Sequence, residues 1–147
     1  MPVTTAATPA GSPTTSTPET TIVRTGDLAN PTVLTISVGG RRLTVALADT
    51  PATRSRGLME VDDLGDLDGM LFDLGSERMS SFTMRNTLIP LDIYFFDSEG
   101  REVGRLEMVP CDEEPCPSYS IDRPARFALE IPAASLDISE GARLELG

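Results

Sequence analysis

On either side of Gly39-Gly40 the apolar residues fall at every second position: Leu34, Ile36 and Val38 before it, Leu43, Val45 and Leu47 after it. A helix repeats about every 3.6 residues and a strand every second one, so this segment can bury a continuous face only as two strands. The paired glycines suit the left-handed backbone of a tight hairpin turn. The same logic predicts a second hairpin, in which Leu91 to Phe96 turns at Ser98-Glu99-Gly100 into Arg101 to Val109. Shorter strands are expected at Met70–Phe72, Ser81–Met84, Tyr119–Ile121, Phe127–Ile131 and Arg143–Leu146. Asp49-Thr50 followed by Pro51 is a helix start and Gly57 a stop, which gives one short helix over Pro51–Arg56. Pro132 with Ala133 to Leu136 allows one further helical turn. Many short strands and little helix predict a mainly β chain: a single-domain β-sandwich or jelly-roll-like small barrel with one or two short helices.

The first thirty residues have a different character. Met1 to Thr20 is rich in Thr, Pro and Ser, and Glu19 is its only charge, so this stretch cannot build a core. Residues 1–30 are read as a tether and 31–147 as one β domain, which is long enough to bury roughly 65% of its unfolded surface. The tether has no apolar run of the kind a signal peptide or membrane helix needs. The expectation is therefore that an export signal or anchor precedes this sequence and that Met1 is not native. The membrane would be met only through that anchor, and the protein would be extracytoplasmic, as a lipoprotein or secreted form at the cell envelope.

Charge narrows the partners. Twenty-three acidic residues against 12 basic ones leave a net charge of −11, a field that repels phosphate backbones and anionic lipid surfaces. Nucleic-acid binding is not expected. All basic residues are Arg, a bias that fits a GC-rich coding source. Five carboxylates between Glu60 and Asp68 suggest calcium, but placing Gly69 at the sixth loop position puts Leu64 and Gly75 where ligands should be, so a solvated acidic loop is expected.

Cys111 and Cys116 have four residues between them in a Pro-flanked loop. A disulfide is sterically possible there and would add about 2 kcal/mol for so small a ring. Two free thiols are the alternative. Half of a zinc site is the weaker reading, because the chain has no His and no other Cys. A persistent disulfide would place the domain outside a reducing cytosol.

Three groups of residues could carry chemistry. The first is the polar run before Pro90, where Arg56, Arg85, Asn86, Thr87 and Asp92 could form a polar cleft with Met59 and Met84 beside it. A guanidinium pairing with Asp92 would suit carboxylate, phosphate or sugar ligands. The alternative is an internal ion pair pinning strand to loop, with Asn86 and Thr87 capping a turn. The second group, Met59, Met70, Met79, Met84 and Met108, offers thioethers to cuprous ion, although such side chains more simply fill a core. No metal or cofactor is assigned. The third is catalysis. Without His the familiar triads are absent, and neither a nucleophile elbow nor a phosphate-cradling Gly loop occurs. An acid/base pair of Asp92 with Glu130 or Asp49 is what remains.

The run Leu47 to Pro51, Arg56-Gly57-Leu58-Met59, Gly69-Met70-Leu71-Phe72, Phe82 to Asp92, Cys111 with Pro115-Cys116-Pro117, and Leu129-Glu130-Ile131 together resemble the family named domain of unknown function 192. The resemblance implies a compact, mostly β domain, often exported in bacteria, with no established substrate. It also implies a Trp where this chain has Thr83, so a pocket walled by an indole would be altered here. The function expected is an exported, tethered envelope accessory or binding domain for a small polar or saccharide ligand or an envelope protein. The alternatives are a carboxylate-dependent hydrolase and a purely structural envelope protein.

Overall fold

The computed structural model describes residues 31–146. The tether expected over residues 1–30 and the terminal Gly147 lie outside them. In chain order the elements are β1 (Thr32–Val38), β2 (Arg41–Ala48), α1 (Pro51–Arg56), β3 (Gly69–Arg78), β4 (Phe82–Thr83), β5 (Leu91–Phe96), β6 (Glu102–Met108), β7 (Ser118–Tyr119), β8 (Ala125–Pro132) and β9 (Leu144–Leu146). Seven strands form one sheet in the order β6-β5-β8-β3-β2-β1-β9, and β4 pairs with β7 in a small second sheet. An isolated bridge between Arg101 and Arg143 brings the two edges of the large sheet together at one end, so the sheet curls into a small barrel-like body.

Both expected hairpins form. Gly39 and Gly40 take φ of 58° and 83° in the β1–β2 turn, and Leu34 pairs with Val45 as the alternation requires. Strands β5 and β6 pair antiparallel across Ser98 to Gly100. The helix has its expected bounds. Thr50 and Thr53 cap it reciprocally, each side chain accepting the other's backbone N–H, and Pro51 occupies the first turn. After Pro132 the chain makes a tight turn in place of the expected helical one, because Ala134 sits at φ 59° and breaks any helical path.

One pairing differs in kind from a chain of hairpins: β2 and β3 run parallel, with Val45 opposite Gly69 and Ala48 opposite Phe72. A parallel neighbour needs a long crossover, and α1 with the acidic loop supplies it. In that loop Val61, Leu64 and Leu67 turn inward at every third position, while Asp62, Asp63 and Asp66 stay in water. Asp68 fastens its end, with the side chain accepting the Thr44 N–H at 2.8 Å and the backbone N–H donating to the Thr44 carbonyl at 2.7 Å. Among the described residues no three acidic or thiol groups converge as a metal site.

Strand alternation divides the core into two apolar layers. One face carries Ile36, Val45, Leu71, Phe96, Leu129 and Ile131; the other carries Phe72, Ile93, Phe95, Met84, Met108 and Ala128. The second layer is covered by Leu58 and the acidic-loop residues Val61, Leu64 and Leu67, with Phe82 and Tyr119 of the small sheet packed against it. Cys111, disulfide-bonded to Cys116 with Cα atoms 5.7 Å apart, also packs on this layer.

The joint between β3 and β8 leaves no room at Gly69, where a β-carbon would run into the Glu130 carbonyl oxygen and lie 2.8 Å from the Ile131 side chain. Gly69→Ala should therefore cost about 3 kcal/mol in denaturant titration through a displaced strand. Gly40→Ala, open to solvent but at positive φ, should cost only about 1 kcal/mol. Equal costs at the two positions would show that the β3–β8 joint is looser than described. Replacing both cysteines by Ser should lower stability by about 2 kcal/mol, read in the same titration.

Candidate functional site

Between α1, the start of β3 and the segment leading through β4 lies an open cleft of about 450 Å³. Its walls follow from local chemistry. Helix α1 ends at Gly57, whose φ of 51° and ψ of −133° suit glycine alone and let the backbone lie on the Phe72 ring. Arg54 holds the helix to β3, its guanidinium donating to the Asp49 carbonyl at 2.9 Å and the Asp73 carbonyl at 3.1 Å. The opposite wall is fixed where the Glu60 N–H donates to the Asn86 carbonyl at 2.7 Å. Phe82 meets Phe72 edge-on with ring centres 5.3 Å apart and extends the aromatic contact to Phe95. The lining is mixed: Leu58, Met59, Phe72, Leu74 and Phe82 supply apolar surface, Ser55, Ser80, Ser81, Thr83 and Thr87 supply hydroxyls, and Arg54 and Arg56 stand on the helix side.

At the base lies Glu130. Strand β8 runs between β3 and β5, where Glu130 stands opposite Met70 on one side and Ile93 on the other, both buried. Its neighbours Leu129 and Ile131 face the other apolar layer, so the Glu130 side chain is turned toward the cleft. It is 5% exposed, and no residue among those described donates a hydrogen bond to its carboxyl. Burial alone pushes its pKa from an ordinary 4.5 up to about 8. A buried polar group without a partner costs on the order of 1–3 kcal/mol, so such groups need a reason.

The sequence-predicted residues do not converge on one place. Arg56, Met59 and Thr87 line the cleft. Arg56 is half-exposed at the mouth, with Glu60 4.0 Å away, and Thr87 is buried, its hydroxyl donating to the Arg85 carbonyl at 3.4 Å. Met84 is 1% exposed and packs in the core. Arg85 points into solvent and pairs with Glu114 of the disulfide loop at 3.0 Å. Asn86 takes φ of 59° at the surface, where the chain turns, so the polar run fans out and does not line one wall.

Asp92 lies elsewhere. It alternates with Leu91 and Ile93 and so shares the opposite face of the sheet with Tyr94, where its carboxylate accepts the Ala134 N–H at 3.1 Å. Neither Arg56 nor Arg85 pairs with it, and the expected ion pair is replaced by this tie between β5 and the turn after β8. The neighbouring Arg105 is also committed, to Glu102 at 2.7 Å and to the Ile138 and Ser139 carbonyls. Asp92 and Glu130 project from opposite faces and cannot form an acid/base pair. Asp49 does not line the cleft. Phe72 and Phe82 carried no site signal in the sequence, whereas Thr83, marked by the resemblance as standing at a pocket-wall position, does line the cleft. Glu130 did carry a signal: a lone acid inside Phe127–Ile131, a strand that is otherwise almost wholly apolar.

The burial of Glu130 sets a pH dependence. Unfolded, the group ionises near 4.5; folded, it keeps its proton to about 8. Between those values the native state binds more protons than the unfolded chain, so the contribution of this residue is fully present below pH 4.5 and is lost as pH rises through 8. Thermal melts should find Glu130→Gln close to the unaltered protein at about pH 4 and clearly more stable than it at about pH 9. A constant difference across that range would mean that the carboxyl is hydrated or paired.

Residues 34–146 match the domain of unknown function 192, described as an uncharacterized ACR. Among solved structures, a Sinorhizobium meliloti 1021 protein described provisionally as a transcription regulator is 32% identical, with a TM-score of 0.71 over 82% of this chain and 98% of that one. A protein of unknown function from Novosphingobium aromaticivorans DSM 12444 is also 32% identical, with a TM-score of 0.69 over 85% of this chain and 92% of its own. No curated protein matches the chain. Match and fold together make the chain a member of the domain of unknown function 192 family.

Proposed function

We propose that the protein is an extracytoplasmic accessory or binding domain, tethered to the cell envelope through its Thr/Pro-rich N-terminal stretch, and that a small polar ligand enters the cleft between α1 and β4. The observation that carries this reading is the lone buried Glu130 carboxyl at the base of an open, aromatic-lined cleft. Concave, mostly apolar sites with a few placed polar groups are where proteins hold small molecules. Export is supported by the Cys111–Cys116 disulfide, a bond that persists in oxidising compartments. No helix among the described residues is long and apolar enough to cross a membrane, so attachment would fall to sequence outside them.

The hydrolase alternative has less support, since it needs two carboxyls flanking one bond and Glu130 is the single acid among the residues lining the cleft. The provisional description of the Sinorhizobium relative as a transcription regulator finds no echo in the charge of this chain, because a net −11 opposes DNA contact.

Chemical-shift mapping with a panel of small sugars, amines and short peptides tests the reading. Shifts should cluster on the amides of residues 55–59 and 80–83, and Arg85→Ala should bind as the unaltered protein does. Shifts confined to the surroundings of Asp92, or none with any panel member, would contradict it.

A further inference from the structure

The cleft has a property beyond being a hollow: of its two buried polar side chains, Thr87 is hydrogen-bonded to the Arg85 carbonyl, whereas the Glu130 carboxyl has no partner among the described residues. We propose that the cleft is an amine site, taking a small organic ammonium with an apolar body, whose N–H groups are received by the Glu130 carboxylate. The inference rests on the reading of the cleft as the ligand site and names the class of ligand.

Three observations converge. First, the register neighbours of Glu130, Met70 and Ile93, have no donors, so a partner must arrive from the cleft side. An ammonium brings several donors and a compensating charge, and charge-assisted bonds of this kind are roughly twice as strong as neutral ones. Second, Phe72 and Phe82 stand in the same lining. Aromatic rings receive both an apolar body and, at close range, a cation. Third, the net charge of −11 draws cations toward the molecule and turns anions away.

Among the described residues that line the cleft, the charged ones besides Glu130 are Arg54 and Arg56 of α1. Arg54 is engaged by two backbone carbonyls, and Arg56, half-exposed at the mouth beside Glu60, is screened by water. The portions of β3 and β4 that line the cleft, and the residues between them, supply apolar and hydroxyl side chains. The proton balance is then simple. In the empty cleft near neutral pH the carboxyl carries its proton; an entering R–NH3+ forms the pair with Glu130–COO−, and that proton leaves to solvent. Proton release should accompany binding below pH 8 and fade above it.

Benzylamine, benzyl alcohol and benzoate have one shape and differ in charge, so titrating the 147-residue chain with each at neutral pH separates the possibilities. Benzylamine should shift the amides around the cleft and bind at least roughly ten-fold tighter than benzyl alcohol. Glu130→Gln should remove that preference. Calorimetry of the unaltered protein in buffers of different ionisation enthalpy should find about one proton released per amine bound at about pH 6.5, a readout that needs no variant. Equal or tighter binding of benzyl alcohol or benzoate at the cleft would overturn the amine assignment while leaving the cleft a ligand site. Binding of benzylamine without proton release, or no binding of it, would also overturn the assignment. If the sugar and peptide panel fails as well, the reading of the cleft falls with it.

Discussion

Strand β8 is held between β3 and β5 and covered on both faces, and most of what is distinctive here follows from that confinement. A strand shows alternate residues to opposite sides. With Phe127, Leu129 and Ile131 committed to one apolar layer, the remaining positions must enter the other, and Glu130 is one of them. At an edge strand it would have reached water. In the middle of the sheet it can avoid water only by keeping its proton, or meet a partner only across the cleft.

The surroundings look built to keep that cleft open. Helix α1 is too short to stabilise itself and is pinned at both ends, by the Thr50–Thr53 cap and by Gly57 against Phe72. Arg54, Asp68 and the Glu60 N–H then tie the crossover to β3, β2 and the Asn86 carbonyl after β4. Polar bonds thus hold the wall where apolar packing is interrupted. On the opposite face of the sheet a hollow of about 390 Å³ lies beside Asp92, Tyr94 and Arg105, but its charged groups are committed: Asp92 accepts the Ala134 N–H, and Arg105 pairs with Glu102 and donates to the Ile138 carbonyl.

Much of this was legible in the sequence where the signal is local. Gly39-Gly40, the Thr50-Pro51 start and Gly57 stop of the helix, the Ser98 to Gly100 turn and the paired cysteines all act within a few residues, and each element appears with the bounds expected or close to them. Long-range consequences were not legible. Nothing near β2 announces that its next neighbour lies parallel across a crossover, and alternation in Leu129-Glu130-Ile131 reveals two faces without saying that neither is wet. The polar run from Thr83 to Asp92 suggested a shared wall because its residues are adjacent in sequence. The left-handed turn at Asn86 and the change of face between Leu91 and Asp92 disperse them. Of that group, Thr87 stays at the cleft with Thr83, while Arg56 and Met59 reach it from the helix side.

A mid-sheet carboxyl thus faces the cleft with no donor among the described residues to hold its charge. Carbon-13 NMR titration of the Glu130 side-chain carboxyl reads that state directly. Its ionisation midpoint should lie near 8 in the ligand-free protein. A midpoint at the ordinary 4.5 would contradict this reading, because it would mean that water or a neighbouring donor already stabilises the charge at the base of the cleft.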